Sequence, residues 1–199
     1  MGLTPVAPGQ IAAVVTTLVL RDRPRPAPLP PSPLRLVRWA DPSPAAYRIL
    51  FERVGAPWLW FSRLALDDAA LLAQIRKPGT QVHAVTDRRG IEVGLLEFTL
   101  IDGAWASLDY FGLVPEWTGK RQGDWLMAMA MALIWRPGIA EVRVNTCTLD
   151  HPAALGFYRR HGFQPLRRTI ETFADPRLAG LLPRDAAPQI PLLEPASRQ

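Results

Sequence analysis

The sequence has few cysteines and histidines, and this scarcity excludes several kinds of site. One cysteine, Cys147, occurs in 199 residues, so an internal disulfide and a zinc site built from paired cysteines are excluded. His83 and His161 have no partners at metal-ligand spacing, so no metal site is predicted. A chain with so little cysteine suits a reducing compartment, and we expect a cytoplasmic protein.

No long hydrophobic run is present either. The longest apolar stretch, residues 11–20, is too short to cross a bilayer, which requires about 20 residues. No basic residue precedes it and no small-residue cleavage site follows, which argues against a signal peptide. Its β-branched residues predict a strand that joins the main sheet or the sheet of a second copy. We therefore expect no membrane partner, and a homodimer is left open.

Lysine is scarce as well, although the chain is basic. The net charge is +5, from 23 basic and 18 acidic residues, and only Lys77 and Lys120 are lysines. Arginine favours bidentate contacts with phosphate or carboxylate groups. Since no dense basic stripe with interleaved aromatic residues occurs, we expect a small anionic ligand and no nucleic-acid partner. An ordinary solvated surface is the alternative interpretation of these charges.

Proline marks the predicted boundaries of the chain. Eight of the 21 prolines lie in residues 1–33 and four in residues 183–199. We therefore predict an N-terminal strand with a proline-rich linker over residues 1–33, a compact domain over residues 34–182, and a mobile proline-rich tail over residues 183–199.

Hydrophobic periodicity within the domain predicts alternating blocks of strands and helices. The predicted strands cover residues 34–39, 81–86, 90–100, 105–114 and 141–148, with one or two more in 163–173, and the predicted helices cover 44–54, 66–76, 123–136 and 152–161. A turn is predicted at Asp102-Gly103. The strand–helix–strand unit over 105–148 predicts one parallel pair in an otherwise antiparallel sheet, hence a mixed α/β (α+β) fold.

The segment FGLVPEWTGKRQGDW contains a candidate phosphate-binding turn. A strand ends before Pro115, and a glycine-bearing loop over residues 118–123 opens a helix. The N-terminus of a helix presents free N–H groups and a positive dipole end to an anion. Gly119 and Gly123 allow close backbone approach, and Lys120 and Arg121 add charge. The loop is neither a P-loop nor a dinucleotide-binding fingerprint, and an ordinary turn is the alternative.

A second segment, residues 145–163, follows as strand, loop and short helix. Together the two segments resemble the acyl-CoA-binding motifs of the GNAT superfamily of N-acetyltransferases, V-x-P-x-x-R-G-x-G-x-G and N-x-x-A-x-x-L-Y-x-x-x-G-F, over residues 34–175. The matching positions are Leu113, Pro115, residues 118–123, His151, Ala154, Phe157, Tyr158, Gly162 and Phe163. The segment TCTLDHPAAL, with WLWFSR upstream, resembles sequences from a bacterial branch of this superfamily.

The resemblance implies a fold and a cofactor. It implies a mixed, mostly antiparallel sheet of about six or seven strands with about four helices, in which the strands predicted at 105–114 and 141–148 splay apart. It implies acetyl-CoA as the acyl donor, with no metal. The residues implied to hold acetyl-CoA are Phe111, Leu113, Thr118, Gly119, Lys120, Arg121, Gln122, Gly123, Asp124 and His151.

Three positions depart from the family pattern. Thr118 replaces an arginine or glutamine, Arg121 replaces a glycine, and His151 replaces an asparagine. We expect Arg121 to fit the turn only with a negative φ, since positive φ favours glycine. These departures leave a second function open, a non-catalytic module that binds or senses acyl-CoA and meets a partner through the proline-rich linker.

The resemblance also implies a mechanism, direct acetyl transfer to a primary amine of a small molecule or peptide. Tyr158 matches the general acid, and a backbone N–H near Leu113 would stabilise the oxyanion. The alternative interpretation of Tyr158 is an ordinary tyrosine of an amphipathic helix. The base is left open among Glu97, Asp109 and solvent.

The remaining candidates are aromatic or basic. Trp58, Trp60 and Phe61 are the candidate acceptor pocket, with a core cluster as the alternative. The arginine pairs at 159–160 and 167–168 would attract a cofactor phosphate or cover a solvated face. A nucleophilic triad of Cys147, Asp150 and His151 is disfavoured, because the last two are adjacent in the chain.

Overall fold

The computed structural model describes residues 2–25, 27–101 and 104–195. Within these ranges the elements are β1 Gln10–Leu20, β2 Arg35–Arg38, α1 Pro44–Gly55, α2 Asp68–Ile75, β3 Thr80–Thr86, β4 Glu92–Ile101, β5 Trp105–Leu113, α3 Gln122–Ile134, β6 Glu141–Cys147, α4 Ala154–Arg160 and β7 Gln164–Ala174. The C-terminal segment predicted as one or two strands is thus one strand, β7. The predicted turn at Asp102-Gly103 lies outside the described residues. None of the described helices is long and apolar enough to cross a membrane.

The strands form one sheet with the order β2-β3-β4-β5-β6-β1-β7. Each neighbouring pair is antiparallel except β5 and β6, which pair in parallel from Trp105 opposite Glu141 to Leu108 opposite Val144. Helix α3 provides the crossover that a parallel pair requires. The predicted fold class, a mixed and mostly antiparallel sheet with four helices, is confirmed.

Strand β1 lies inside this sheet. It pairs with β6 on one side and with β7 on the other, so the strand predicted over residues 11–20 joins the chain's own sheet. The chain then returns to β2 at the opposite edge, through the proline-rich linker. Ser32 of this linker donates a hydrogen bond to Oε1 of Gln122 (2.5 Å) at the start of α3. Residues before position 34 thus help to build both the sheet and the surroundings of the loop.

Helices pack on both faces of the sheet. Because successive side chains of a strand point to opposite faces, Tyr110 and Phe111 identify them. Tyr110 packs against Phe51 of α1, whereas Phe111 packs against Phe157 and Tyr158 of α4. We call these the α1 face and the α4 face. Apolar side chains between the layers form the main core, which includes Tyr47, Phe51, Phe98, Leu126 and Ile134.

The chain after β7 packs against the N-terminal half of the molecule. The Arg177 guanidinium bonds both oxygens of Asp175 (3.0 and 2.7 Å) and the carbonyl of Ile190 (2.8 Å). A second apolar cluster, of Ile11, Leu59, Leu182 and Ala187, lies beside this arginine. Residues 183–195, for which the sequence predicts a mobile tail, contact Arg177 through a backbone carbonyl and join the second apolar cluster through Ala187. Residues 196–199 lie outside the described ranges.

A buried histidine gives the fold a testable pH dependence. His83 of β3 is 4% exposed and stacks on Phe98, and its Nδ1 has no hydrogen-bond partner among the described residues. Burial and the nearby charge of Arg38 lower the pKa of His83 from 6.5 to about 4. As the pH falls, His83 is therefore protonated first in the unfolded chain. The contribution of His83 to the unfolding free energy is complete above pH 6.5 and declines as the pH falls toward 4.

We expect this loss to reach about 3 kcal/mol of unfolding free energy. Urea unfolding of the wild type and of His83→Leu, across this pH range, measures it. The unfolding free energy of the wild type, relative to that of the variant, should fall as the pH falls, because leucine takes up no proton. A constant difference between the two proteins would contradict the assignment.

Candidate functional site

A large cleft opens where β5 and β6 separate. Their pairing ends at Leu108 and Val144, and the residues that follow in both strands line a cleft of about 640 Å³. The predicted splaying of these two strands is confirmed. Since no strand fills the gap, the cleft is lined by residues from both faces of the sheet, including Tyr110 from the α1 face and Tyr158 from the α4 face.

The loop before α3 forms one end of the cleft. Gly119 has φ +73° and Arg121 has φ +58°, and Arg121 is the N-cap of α3 without a side-chain hydrogen bond to the helix. The expectation of a negative φ at Arg121 is wrong. The arginine takes the left-handed conformation that the family pattern gives to glycine, at a cost of about 1 kcal/mol. The helix thereby begins with an N-terminus that no side chain caps.

Three further contacts define the charge and the free space of the loop. The Arg121 side chain is 91% exposed, with Nε 3.6 Å from a carboxylate oxygen of Asp124. The other oxygen of Asp124 lies 3.0 Å from Nε2 of His161. A Cβ added at Gly123 would lie 3.3 Å from the ring of Phe157, so glycine avoids a tight contact at this wall of the cleft.

Three side chains of the loop are used elsewhere. Lys120 Nζ lies 5.2 Å from the centre of the Trp117 ring, and Gln122 is buried, bonded to Ser32 and to the Lys120 carbonyl (3.1 Å). Neither residue lines the cleft: Lys120 is exposed beside Trp117, and the linker binds the side chain of Gln122. Thr118 lines the cleft, but its hydroxyl donates to the Pro115 carbonyl (2.7 Å).

Tyr158 lines the cleft from α4. Its ring packs against Phe111, Phe157 and Phe163 and is 7% exposed. The structure gives its hydroxyl no hydrogen-bond partner among the described residues. Burial and the negative charge of Asp150 raise the pKa of Tyr158 well above its ordinary value of 10. The phenol is thus held in its protonated, proton-donating form.

His151 lies at the start of the same segment. Its Nδ1 accepts the Ala153 N–H (3.0 Å), and its ring meets Trp58 edge to face at 5.1 Å. Since Nδ1 is an acceptor, the neutral imidazole carries its proton on Nε2. The side chain lines the cleft and can donate one hydrogen bond into it.

The backbone of β5 supplies a donor to the cleft. Val114 N–H bonds to Val93 of β4 (2.9 Å). In a strand, successive N–H groups point to opposite edges, so the Leu113 N–H points away from β4. On that side β6 has already diverged, and the cleft lies there instead.

Aromatic side chains build the wall of the cleft on the α1 face. Trp58, Trp60 and Tyr110 line it, and Trp60 packs on Tyr110 with ring centres 5.1 Å apart. The third predicted pocket residue, Phe61, lies outside the lining because its ring stacks on Phe173 of β7 (4.8 Å). Phe61 therefore matches the alternative interpretation, a packing residue.

The two candidate bases occupy different environments. Asp109 lines the cleft and accepts hydrogen bonds from Thr99 (2.6 Å) and Ser107 (2.5 Å). Glu97 is fully buried outside the lining, bonded to the hydroxyl of Tyr47 (2.5 Å) and to Arg63 (2.6 Å). Burial raises the pKa of Glu97, and the Arg63 charge partly opposes this rise. Glu97 is therefore enclosed by Tyr47 and Arg63 and does not line the cleft.

The residues missed from the sequence lie at the end of β6. Asn145 and Asp150 line the cleft, and Asp150 accepts hydrogen bonds from Thr146 (2.8 Å) and from the Cys147 N–H (2.9 Å). Both follow Val144, the last residue of β6 that pairs with β5. Burial and Asp150 raise the pKa of the Cys147 thiol, which opposes a thiolate nucleophile. Within the described ranges, no group of three or more His, Cys, Asp and Glu side chains could hold a metal ion.

Comparisons with known proteins agree with this architecture. Solved structures with a similar fold include a GCN5-related N-acetyltransferase from Sphaerobacter thermophilus (TM-score 0.61, 17% identity, 84% of this chain and 52% of that one). A second is a GCN5-related N-acetyltransferase from Kribbella flavida (TM-score 0.51, 18% identity, 86% of this chain and 63% of that one). A third is a tandem GNAT protein from the clavulanic acid biosynthesis pathway (TM-score 0.51, 19% identity, 81% of this chain and 53% of that one).

At these identities the likeness shows the fold alone, and the chain spans between 52% and 63% of those three structures. No curated protein matches the chain. The family model described as the acetyltransferase (GNAT) family matches residues 35–163, which include the loop, the diverging strands and Tyr158. The chain therefore belongs to the GNAT family of acetyltransferases.

Proposed function

We propose that this protein is a cytoplasmic N-acetyltransferase that moves an acetyl group from acetyl-CoA directly to a primary amine. The observation that carries the proposal is the cleft between β5 and β6. It combines an uncapped helix N-terminus, a protonated tyrosine and a carboxylate in one space that is open on both sheet faces. These are the groups needed to bind phosphates, to donate a proton and to accept one.

The donor end fits a CoA thioester. The α3 N-terminus and the exposed Arg121 offer N–H groups and positive charge to the pyrophosphate, and Arg160 lines the same cleft. The space left by Gly123 lets the phosphates approach the backbone. The apolar walls of Phe111, Phe157 and Leu113 suit the pantetheine chain that leads into the gap between the strands.

The reacting groups then meet at the split between the strands. A thioester supplies an activated acyl carbonyl and a thiolate leaving group. The Leu113 N–H stabilises the negative charge that develops on the acyl oxygen, and the Tyr158 hydroxyl donates its proton to the departing sulfur. Because both reactants are held in one cleft, much of the entropic cost of bringing them together is met on binding.

The acceptor enters from the α1 face. Trp58, Trp60 and Tyr110 form an aromatic wall for a small-molecule or peptide amine. Asp109 is the carboxylate of the predicted pair that reaches the cleft, so we assign it, in place of Glu97, the role of accepting the ammonium proton directly or through water.

The proposal is tested by calorimetry with Gly123→Asp. We expect acetyl-CoA and CoA to bind the wild type better than ATP, and the variant to bind both at least about tenfold more weakly. An added carboxylate would repel the pyrophosphate and press on Phe157. Gly123→Ala, which adds the Cβ without the charge, is the matched control and should lose less affinity.

The outcomes separate the candidate functions. Equal affinity in the wild type and the aspartate variant would contradict the loop assignment. Binding of acetyl-CoA without acetylation of any amine would favour the non-catalytic acyl-CoA module, which the strained Arg121 turn also permits. Absence of binding in a folded protein would exclude both.

A further inference from the structure

A second cavity adjoins the cleft and has no role in the proposed function. It has a volume of about 200 Å³ and shares Val144 and Asn145 with the cleft. Its other lining residues are mostly polar or aromatic: Thr17, Trp105, Ser107, Arg143, Leu166 and Arg167. We call it the distal groove.

The distal groove and the acceptor side of the cleft lie on the same face of the sheet. Ser107 shares with Thr99 the carboxylate of Asp109, and Thr99 lies two residues from Glu97, which bonds α1. Ser107 is therefore on the α1 face. Since Ser107 pairs with Arg143 of β6, that arginine lies on this face as well.

The neighbouring strands extend this polar row. Asn145, two residues after Arg143, lies opposite Thr17 of β1, and Thr17 lies opposite Arg167 of β7. All three share the α1 face by the same alternation. The row thus continues from the acceptor wall of the cleft into the distal groove without crossing the sheet.

The distal groove presents mainly hydrogen-bond donors. Arg167 Nε donates to the Thr17 hydroxyl (3.4 Å), and that hydroxyl donates to the Asn145 side-chain oxygen (2.7 Å). The amide oxygen of Asn145 is thereby occupied, which leaves its NH₂ group to face a ligand. Asn145 lines both cavities and therefore lies at their junction.

The charge of the distal groove is positive. Arg143 stacks on Trp105 at 4.4 Å and bonds Glu141 through Nε (2.6 Å). Glu141 is shared with Arg21 (3.3 Å), so one carboxylate serves two arginines. Arg167 has no acidic partner within ion-pair distance among the described residues. The cleft side of the row is instead acidic, with Asp109, Asp150 and Glu171 in its lining.

We propose that the distal groove binds an anionic group of the acceptor, a carboxylate or phosphate at the end remote from the reacting amine. The inference rests on the proposed function and names its substrate class: a linear amine with a negative charge at its other end. The amine lies among the carboxylates of the cleft, and the anionic group meets Arg167, Arg143 and the Asn145 amide. Asn145, at the junction of the two cavities, lies two residues from Arg143, which is about 7 Å along the strand.

Three acceptors of equal chain length test this inference. They are a six-carbon ω-amino acid, the six-carbon alkylamine and the six-carbon diamine, each assayed by CoA release. We expect the ω-amino acid to have the highest kcat/KM, about five- to tenfold above the alkylamine, and the diamine the lowest. Arg167→Glu should remove this preference for the ω-amino acid and leave acetyl-CoA affinity unchanged.

Arg168→Glu is the matched control. It makes the same change of charge one residue away on β7, where the side chain points to the α4 face and lines neither cavity. It should keep the wild-type order of acceptors. Loss of the preference in both variants would indicate long-range electrostatics and overturn the inference, as would a wild type that prefers the diamine.

Failure of the proposed function is distinguishable from failure of this inference. If no amine is acetylated, calorimetry with the ω-amino acid still tests the distal groove. Binding of the ω-amino acid to the wild type and to Arg168→Glu, with at least about fivefold weaker binding to Arg167→Glu, supports the distal groove as an anion site even when no acetylation is observed. Equal binding, or none, in all three proteins overturns the inference.

Discussion

Tyr158→Phe is expected to lower kcat by about 10- to 1,000-fold with little change in the affinity for acetyl-CoA. The substitution removes only the hydroxyl. The ring keeps its contacts with Phe111, Phe157 and Phe163, so the cleft retains its shape. A rate loss without an affinity loss identifies a group that acts on the departing thiolate rather than on binding.

The pH dependence of the reaction gives an independent check. A general acid must be protonated, and burial with the charge of Asp150 raises the pKa of Tyr158 above 10. The phenol therefore stays protonated at every pH below about 10, and kcat should show no decline from Tyr158 in that range. A decline with an apparent pKa of 7 to 9 that is absent in Tyr158→Phe would contradict the raised pKa.

Tyr47→Phe is the control for this variant. It also removes one buried hydroxyl, but that hydroxyl bonds Glu97 outside the cleft. Its effect should appear in stability and not in kcat. An equal loss of kcat in the two variants would assign the Tyr158 effect to packing.

Much of the fold followed from local sequence signals. The predicted strands and helices lie within a few residues of their observed positions, because alternation, caps and breakers are local. Ser43 accepts the Ala46 N–H (3.2 Å) and Pro44 opens α1, as their types indicate. The parallel pairing of β5 and β6 followed equally from the helix between them.

Contacts between residues distant in the sequence could not be predicted. The position of β1 between β6 and β7 depends on partners more than 120 residues away, and periodicity does not identify partners. The same applies to Glu97 and Asp109, two strand carboxylates with similar local sequence. Only the enclosure of Glu97 by Tyr47 and Arg63, and the open position of Asp109, distinguishes them.

The positive φ of Arg121 shows a different limit. Arginine rarely adopts the left-handed backbone conformation, but Arg121 has it here. The family pattern places a glycine there, so the fold imposes the backbone conformation and the arginine accepts the strain. The resemblance was a better guide to this backbone than the propensity of the residue.

Arg177→Met is expected to lower the unfolding free energy by about 3–5 kcal/mol. Arg177 and Asp175 are 3% and 2% exposed, so removal of the guanidinium leaves a buried carboxylate without its counter-charge. Burial alone would raise the pKa of Asp175, but the hydrogen bonds and charge of Arg177 hold it below 3.8. A carboxyl with a lowered pKa stabilises the fold above its unfolded pKa and loses that contribution as the pH falls. The wild-type contribution is therefore complete near neutral pH.

Urea unfolding near neutral pH measures this effect, with Arg184→Met as the matched control. Arg184 also pairs with an acid of the C-terminal segment, Glu194, but both side chains are more than half exposed. Its loss should change stability by less than about 1 kcal/mol. Arg177→Lys keeps the charge but not the several contacts of the guanidinium, and should fall between the wild type and Arg177→Met.

The same variant should also affect the acceptor side of the cleft. The segment that Arg177 holds contacts the chain on either side of Trp58, since Gln189 donates to the Pro57 carbonyl (2.7 Å) and Leu59 packs in the cluster with Leu182 and Ala187. Pro57 and Leu59 flank Trp58. Under conditions where Arg177→Met remains folded, we expect KM for the amine to rise while the affinity for acetyl-CoA, which we propose binds at the opposite end, stays unchanged. An equal loss of both affinities would show that the variant loosens the whole domain and not the acceptor wall.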